Sequence, residues 1–353
     1  MIEMKLFMFL AFALSMSANG CQKPPQSPVG KPIKIESTRE VKFDSHGLML
    51  EGTLQLPIGA VSKVPAILLL PGSGPTDRNG NSGLGITTDL LKQIAEELAK
   101  NGIASLRFDK RAIKIYASKW PKDLKEVNSF FSWQNFVDDA GAALDIMGKQ
   151  PEIDANRTGI LGHSEGAMLS LQLGSDRSAL TTRPKMTILL GGTGRPMGII
   201  LHEQIARQLK LGQATPELTK QYLDYVDAAC KALADKKDLP PNMPPNLGGL
   251  FNPTTMDIMG AYCRIDPSEN AKKVIGPVLV MNGLKDMQVS AERDTPRLVS
   301  ALKSRSSGKV ESMIVPDASH NFKSTKFGTD DAFEGPMVPE AMSMIIKFAK
   351  ANL

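Results

Sequence analysis

The stretch Thr158-Gly159-Ile160-Leu161-Gly162-His163-Ser164-Glu165-Gly166-Ala167-Met168-Leu169-Ser170-Leu171 decides how the rest of the chain is read. Thr158 to Leu161 reads as a strand leading in, and Ala167 to Leu173 as a helix leading out. Between them the G-x-S-x-G pattern sets Ser164 on a tight strand–turn–helix bend, its hydroxyl exposed above a helix N-terminus. Gly162 and Gly166 suit that bend, because it brings strand and helix backbones close together. A serine hydroxyl is a weak nucleophile at neutral pH and needs a base.

The sequence holds four histidines. His163 adjoins the serine and is expected to point elsewhere from the bend. His46 sits in a hairpin turn, and His202 starts a later insertion. His320 lies in Asp317-Ala318-Ser319-His320-Asn321-Phe322, after the last expected strand, where a base closing over a sheet edge belongs. The acid that orients such a base is expected between Ser and His in chain order. Asp286, in Asn282-Gly283-Leu284-Lys285-Asp286-Met287, follows a strand and is the choice, with Asp317 and Asp294 as rivals. An oxyanion needs donors aimed at it. The backbone N–H groups of Glu165 and of Ser73, the latter in Gly72-Ser73-Gly74, are the candidates.

Working outward, strands are expected at 39–43, 48–56, 64–70, 103–108, 157–161, 185–191, 277–282 and 309–315. The first two form a hairpin over Asp44-Ser45-His46-Gly47. Runs such as Ala66-Ile67-Leu68-Leu69-Leu70 are continuously apolar, as in parallel strands covered on both faces. Helical patterns at 87–100, 132–148 and 338–351 alternate with them. The expected fold class is therefore α/β: a mostly parallel sheet of about eight strands with an antiparallel N-terminal hairpin. Residues 195–270 carry no strand pattern and read as a helical cap inserted between core segments 33–194 and 271–353. A helix bearing Leu218, Tyr222, Tyr225, Val226, Ala229 and Leu233 and a short helical segment near 254–263 lie there, with a Pro-rich loop between them. Met256, Met259 and Tyr222 are candidates to line a substrate pocket or, alternatively, to pack the cap.

Composition excludes several classes. The 353 residues are 42% hydrophobic and 22% charged, with a net charge of +5, which argues against disorder. No basic stripe interleaved with aromatics points to nucleic acid. His202-Glu203 begins a zinc pattern, but Ala206 stands where the second His belongs, so neither metal nor cofactor is expected. Residues 1–20 combine a short apolar run with Ala18-Asn19-Gly20 before Cys21, a signal-peptide pattern. It resembles a bacterial lipoprotein leader, which would lipidate Cys21, anchor the protein at a membrane of the cell envelope and leave 21–32 as a Pro-rich tether; ordinary secretion and an uncleaved anchor are the alternatives. Export makes Cys230 and Cys263 a candidate disulfide.

The ordered set PGSGPTDRNGN (71–81), RFDKR (107–111), GHSEG (162–166), ILLGGTGRPMGIILHEQ (188–204), PVLVMNGLKDMQV (277–289) and DASHNF (317–322) resembles the α/β-hydrolase superfamily. The resemblance is to capped bacterial serine carboxylesterases near the dienelactone-hydrolase and serine-aminopeptidase branches. It implies Ser164 as nucleophile, Asp286 as acid, His320 as base, Ser73 and Glu165 as oxyanion donors, and a small or medium acyl ester as substrate. A peptidase using the same triad, or a non-catalytic envelope protein on this scaffold, are the alternatives.

Overall fold

The computed structural model describes residues 37–59, 62–83, 85–176, 178–306, 308–326 and 332–353. The expected leader, Cys21 and the Pro-rich tether lie outside the described residues.

The chain opens with strands β1 (Ser37–Ser45) and β2 (Leu48–Leu56), paired antiparallel so that Ser45 faces Leu48. The two residues that turn between them, His46 and Gly47, both have positive φ (52° and 78°), the conformation a two-residue hairpin needs. Next come β3 (Val64–Leu70), α1 (Leu90–Lys100), β4 (Ala104–Phe108), a 3₁₀ turn (Lys114–Lys119), α2 (Leu124–Phe130) and α3 (Trp133–Gly148). Strand β5 (Ile153–His163), α4 (Glu165–Ser175) and β6 (Met186–Leu190) follow. The insertion then runs through α5 (Met197–Leu211), α6 (Pro216–Ala234), α7 (Met256–Arg264) and α8 (Pro267–Ala271). Strand β7 (Val278–Gly283), α9 (Ala291–Lys303), β8 (Val310–Val315) and α10 (Pro339–Asn352) complete it.

The eight strands form one sheet in the order β1-β2-β4-β3-β5-β6-β7-β8. Pairings from β4 through β8 are parallel, while β1–β2 and β2–β4 are antiparallel. Alternation along β3 shows why its sequence is apolar throughout. Ile67 and Leu69 join the layer containing α1 and α10, and Ala66, Leu68 and Leu70 join the layer containing α3. A strand with both faces covered has no position at which a polar side chain meets water.

Helix α1 begins at Leu90, later than its apolar pattern predicts. Asn81 accepts hydrogen bonds from the backbone of Thr88 and Asp89, and Asp89 takes φ 46°, so the loop holds these residues outside the helix. Helix α5 carries no prediction from the sequence, and Gly198 near its start disguises it. An added Cβ at Gly198 would lie 2.8 Å from Cys230 Sγ, so glycine is what lets α6 approach. Cys230 of α6 and Cys263 of α7 are bonded, with Cα atoms 5.2 Å apart. Closing a loop of 33 residues restricts the unfolded chain by an amount equivalent to about 3–4 kcal/mol.

Arg111 and Asp139 form a bidentate pair with bonds of 2.7 and 2.6 Å, and Arg111 Nη1 also donates to Phe130 O. Both side chains are 2% exposed. The pair ties the segment after β4 to α3, behind the rim where the parallel strands end.

Candidate active site

Strand β5 ends at His163 and α4 begins at Glu165, leaving Ser164 alone to make the bend. Its backbone lies at φ 56° and ψ −116°, a conformation that costs a non-glycine residue about 1–3 kcal/mol. The backbones on either side of it are packed closely. A Cβ at Gly162 would lie 1.9 Å from Gly166 O, and one at Gly166 would lie 2.3 Å from Leu70 O. Ser164 N donates to Leu190 O at 2.8 Å, which ties the bend to β6.

The loop after β7 brings Asp286, and the loop after β8 brings His320. Asp286 Oδ2 lies 2.7 Å from His320 Nδ1. The other carboxylate oxygen accepts the N–H groups of Gln288 (2.7 Å) and Val289 (2.8 Å), so both oxygens of Asp286 are held. The aspartate side chain is fully buried and the histidine 3% exposed. Gly191 at the end of β6 lets the imidazole lie close, because a Cβ there would meet His320 Cε1 at 3.1 Å. Ser164, His320 and Ser73 line one cavity of about 60 Å³, with Gly72, Gly74, Thr76 and Ile86 on the side of the β3 loop. Gln288, Asn321 and Phe333 line it as well. Glu165 places its N–H at the first position of α4, among the N–H groups that a helix leaves without an internal partner.

The rivals are committed elsewhere. Asp317 pairs with Lys285 at 2.7 Å. Asp294 is fully buried on α9. It accepts the N–H groups of Gly194 and Arg195 and pairs with the Arg195 guanidinium. Met256, Met259 and Tyr222 do not line this cavity. Met259 and Tyr222 are buried in the core shared with the insertion, and Tyr222 donates its hydroxyl to Pro245 O. Met256 packs against the same cluster, so the packing reading of these three replaces the pocket reading. Among the described residues the insertion contributes no lining residue to this cavity; one wall is the folded loop 72–88 instead. Arg78 braces that loop through Asp109, donating from Nε and Nη2 at 2.8 and 2.6 Å. Asp77 braces it too, accepting the backbone N–H groups of Asn79 and Asn81.

His163 does not point away. Its ring sits 4.7 Å from that of His320, and Nε2 lies 2.9 Å from His320 O. A carbonyl only accepts, so His163 carries its proton on Nε2 and holds the backbone of the neighbouring histidine. Burial first, and then the nearby His320, push its pKa down to about 3. In the unfolded chain it titrates near 6.5. The stability it contributes is therefore complete above pH 6.5 and drains away as pH falls toward 3, at about 1.4 kcal/mol per pH unit. Urea midpoints measured from pH 7 to pH 4 are expected to fall less steeply for His163→Gln than for the parent. Parallel slopes would show that His163 takes up its proton equally in both states.

A buried cluster lies behind the bend. Lys110 Nζ lies 2.6 Å from Glu165 Oε1 and 3.1 Å from Gly72 O, and Tyr262 donates to the other Glu165 oxygen. Sequence reasoning assigned none of these side chains a part in the site. The RFDKR segment was the available signal, since two consecutive cations at the end of an apolar strand need buried partners.

An eight-stranded, mostly parallel sheet with an antiparallel N-terminal hairpin and helices around it is the α/β-hydrolase fold, and Ser164 on its one-residue strand-to-helix bend and the Asp286-paired His320 lie at one rim of it. The chain is 26% identical over 296 residues to the esterase EstD of Thermotoga maritima, with 82% of this chain and 61% of that protein covered. It thus spans about three fifths of that relative's length. The acylaminoacyl peptidase of Pyrococcus horikoshii superposes with a TM-score of 0.56 at 18% identity, covering 91% of this chain and 42% of that one. Est1E of Butyrivibrio proteoclasticus superposes with a TM-score of 0.52 at 14% identity, covering 88% and 96%. No protein-family model matches the chain.

Proposed function

We propose that the protein is an exported serine carboxylesterase acting on esters of small acyl groups. The observation that carries this reading is the 2.7 Å bond between His320 and a fully buried Asp286 at the cavity that Ser164 lines. In this reading His320 takes the Ser164 proton as the hydroxyl attacks the ester carbonyl, and Asp286 holds the imidazole and stabilises the imidazolium. The N–H groups of Ser73 and Glu165 receive the oxyanion. The alcohol leaves with the proton from His320, and water activated by His320 then releases the acyl group from Ser164.

A cavity of about 60 Å³ suits a short acyl chain, since sites for drug-sized ligands run to roughly 300 Å³ or more. The esterase EstD among its relatives supports ester over amide chemistry. A peptidase would need a free charge for a peptide terminus. Arg195, one candidate for that clamp, is taken up by Asp294 and Glu203, and Arg207 donates to Met287 O. The Cys230–Cys263 bond suits an oxidising compartment and, with the signal-peptide pattern of residues 1–20, supports export; lipidation at Cys21 rests on the sequence pattern alone.

Purified protein is expected to hydrolyse p-nitrophenyl acetate and butyrate faster than the palmitate ester, and all three faster than aminoacyl-anilides. Faster anilide turnover would turn the reading to a peptidase. No turnover together with no labelling by a fluorophosphonate probe would turn it to a non-catalytic scaffold.

A further inference from the structure

We infer that Lys110 is a positioning residue for the oxyanion hole, one buried ammonium group holding the Gly72–Ser73 donor peptide by its carbonyl and the second donor residue, Glu165, by its side chain. The inference rests on the serine-hydrolase reading above. Lys110 follows β4, where the chain leaves the sheet beside the loops after β3 and β5. Its side chain is 4% exposed and that of Glu165 is fully buried. The ammonium sits 4.8 Å from the centre of the Phe136 ring, a contact that favours a cation shielded from water.

Two contacts give the ammonium its reach. At 3.1 Å it donates to the carbonyl oxygen of Gly72. The peptide joining Gly72 to Ser73 is a rigid plane in which C=O and N–H point in opposite directions, and the described chain has no cis peptide bond. Holding the Gly72 oxygen therefore sets the direction of the Ser73 N–H. At 2.6 Å the same ammonium holds Glu165, whose own N–H is the other donor. Tyr262, on α7 of the insertion, donates its hydroxyl to the remaining oxygen of Glu165. Burial foremost, and then the neighbouring carboxylate, raise the Tyr262 pKa, which keeps that proton in place. Preorganised donors need no rearrangement as charge develops, so loosening the Gly72–Ser73 peptide weakens the transition state more than the bound substrate.

A purely structural ion pair predicts something different, and a pair of variants separates the two. Lys110→Met is expected to lower kcat for p-nitrophenyl acetate on the order of 10²-fold, with KM little changed. It also strands the Glu165 carboxylate and lowers the melting temperature. Lys110→Met/Glu165→Gln carries no buried unpaired charge. It is expected to regain most of the melting temperature while keeping the low kcat, because Gly72 O still lacks its cation. In the same double variant, the inhibition constant of a trifluoromethyl ketone, whose adduct with Ser164 carries an oxyanion, should rise by the factor by which kcat/KM falls. Recovery of kcat together with stability would reduce the pair to charge balance and overturn the inference. So would a folded Lys110→Met protein with kcat within threefold of the parent. Tyr262→Phe leaves the Gly72 contact intact and should lose less than tenfold; a loss matching that of Lys110→Met would move the positioning role to Glu165 and also overturn it. An inactive, unlabelled parent would refute the serine-hydrolase reading itself, whereas an active parent with an active Lys110→Met refutes this inference alone.

Discussion

Ser164→Ala is expected to reduce kcat for p-nitrophenyl acetate on the order of 10⁵-fold, about 7 kcal/mol, and to abolish fluorophosphonate labelling. The residual rate would come from binding and the oxyanion donors, which the substitution leaves in place. Stability should hardly change, because alanine keeps the same Cβ at the same φ of 56°. Ser164→Gly makes a sharper control. It removes the same nucleophile, and the φ 56°, ψ −116° conformation is one that glycine tolerates. Its unfolding free energy from urea titration is therefore expected above that of Ser164→Ala by about 1 kcal/mol. Steady-state and burst kinetics with urea titration of the three proteins check both statements. Activity of Ser164→Ala within tenfold of the parent would remove the serine from the mechanism.

Asp286→Asn is expected to cost on the order of 10⁴-fold in kcat, about 5 kcal/mol, with the fold intact. The local hydrogen bonds say why. Gln288 N and Val289 N both donate to one oxygen of Asp286, so an asparagine would keep its carbonyl oxygen there. Its NH₂ would then occupy the position 2.7 Å from His320 Nδ1 and donate to it. That forces the ring proton onto Nε2, the nitrogen that accepts the Ser164 proton in the proposed mechanism. The loop keeps its two backbone bonds, so circular dichroism and the melting temperature should stay near the parent values. A loss of less than tenfold would mean that Asp286 only shapes the loop.

Much of this site was readable in the chain, because the signals involved are local. The G-x-S-x-G spacing answers to the steric needs of one bend, and Gly166 makes the point, since a Cβ there would collide with Leu70 O. Each of the eight expected strands overlaps an observed one, with β5 starting four residues early. Helix α5 was missed although Ile200, Leu201, Ile205 and Leu209 keep helical spacing, because Pro196 and Gly198 at its start read as loop. The pocket residues failed for a different reason. Met259 and Tyr222 are apolar at helical spacing, and spacing alone does not tell a side chain that meets a ligand from one that meets its own core.

The sequence by itself determined the strand–helix alternation, the bend at Ser164 and the order Ser164, Asp286, His320, since each depends on residues a few places apart or on their succession. Tertiary structure alone decided that His163 grips the backbone of His320, that loop 72–88 rather than the insertion walls the cavity, and that Lys110 meets Glu165 across 55 residues and Tyr262 meets it across 97. Those contacts follow from a strand order in which β4 lies between β2 and β3, and periodicity along a chain carries no record of which strands become neighbours.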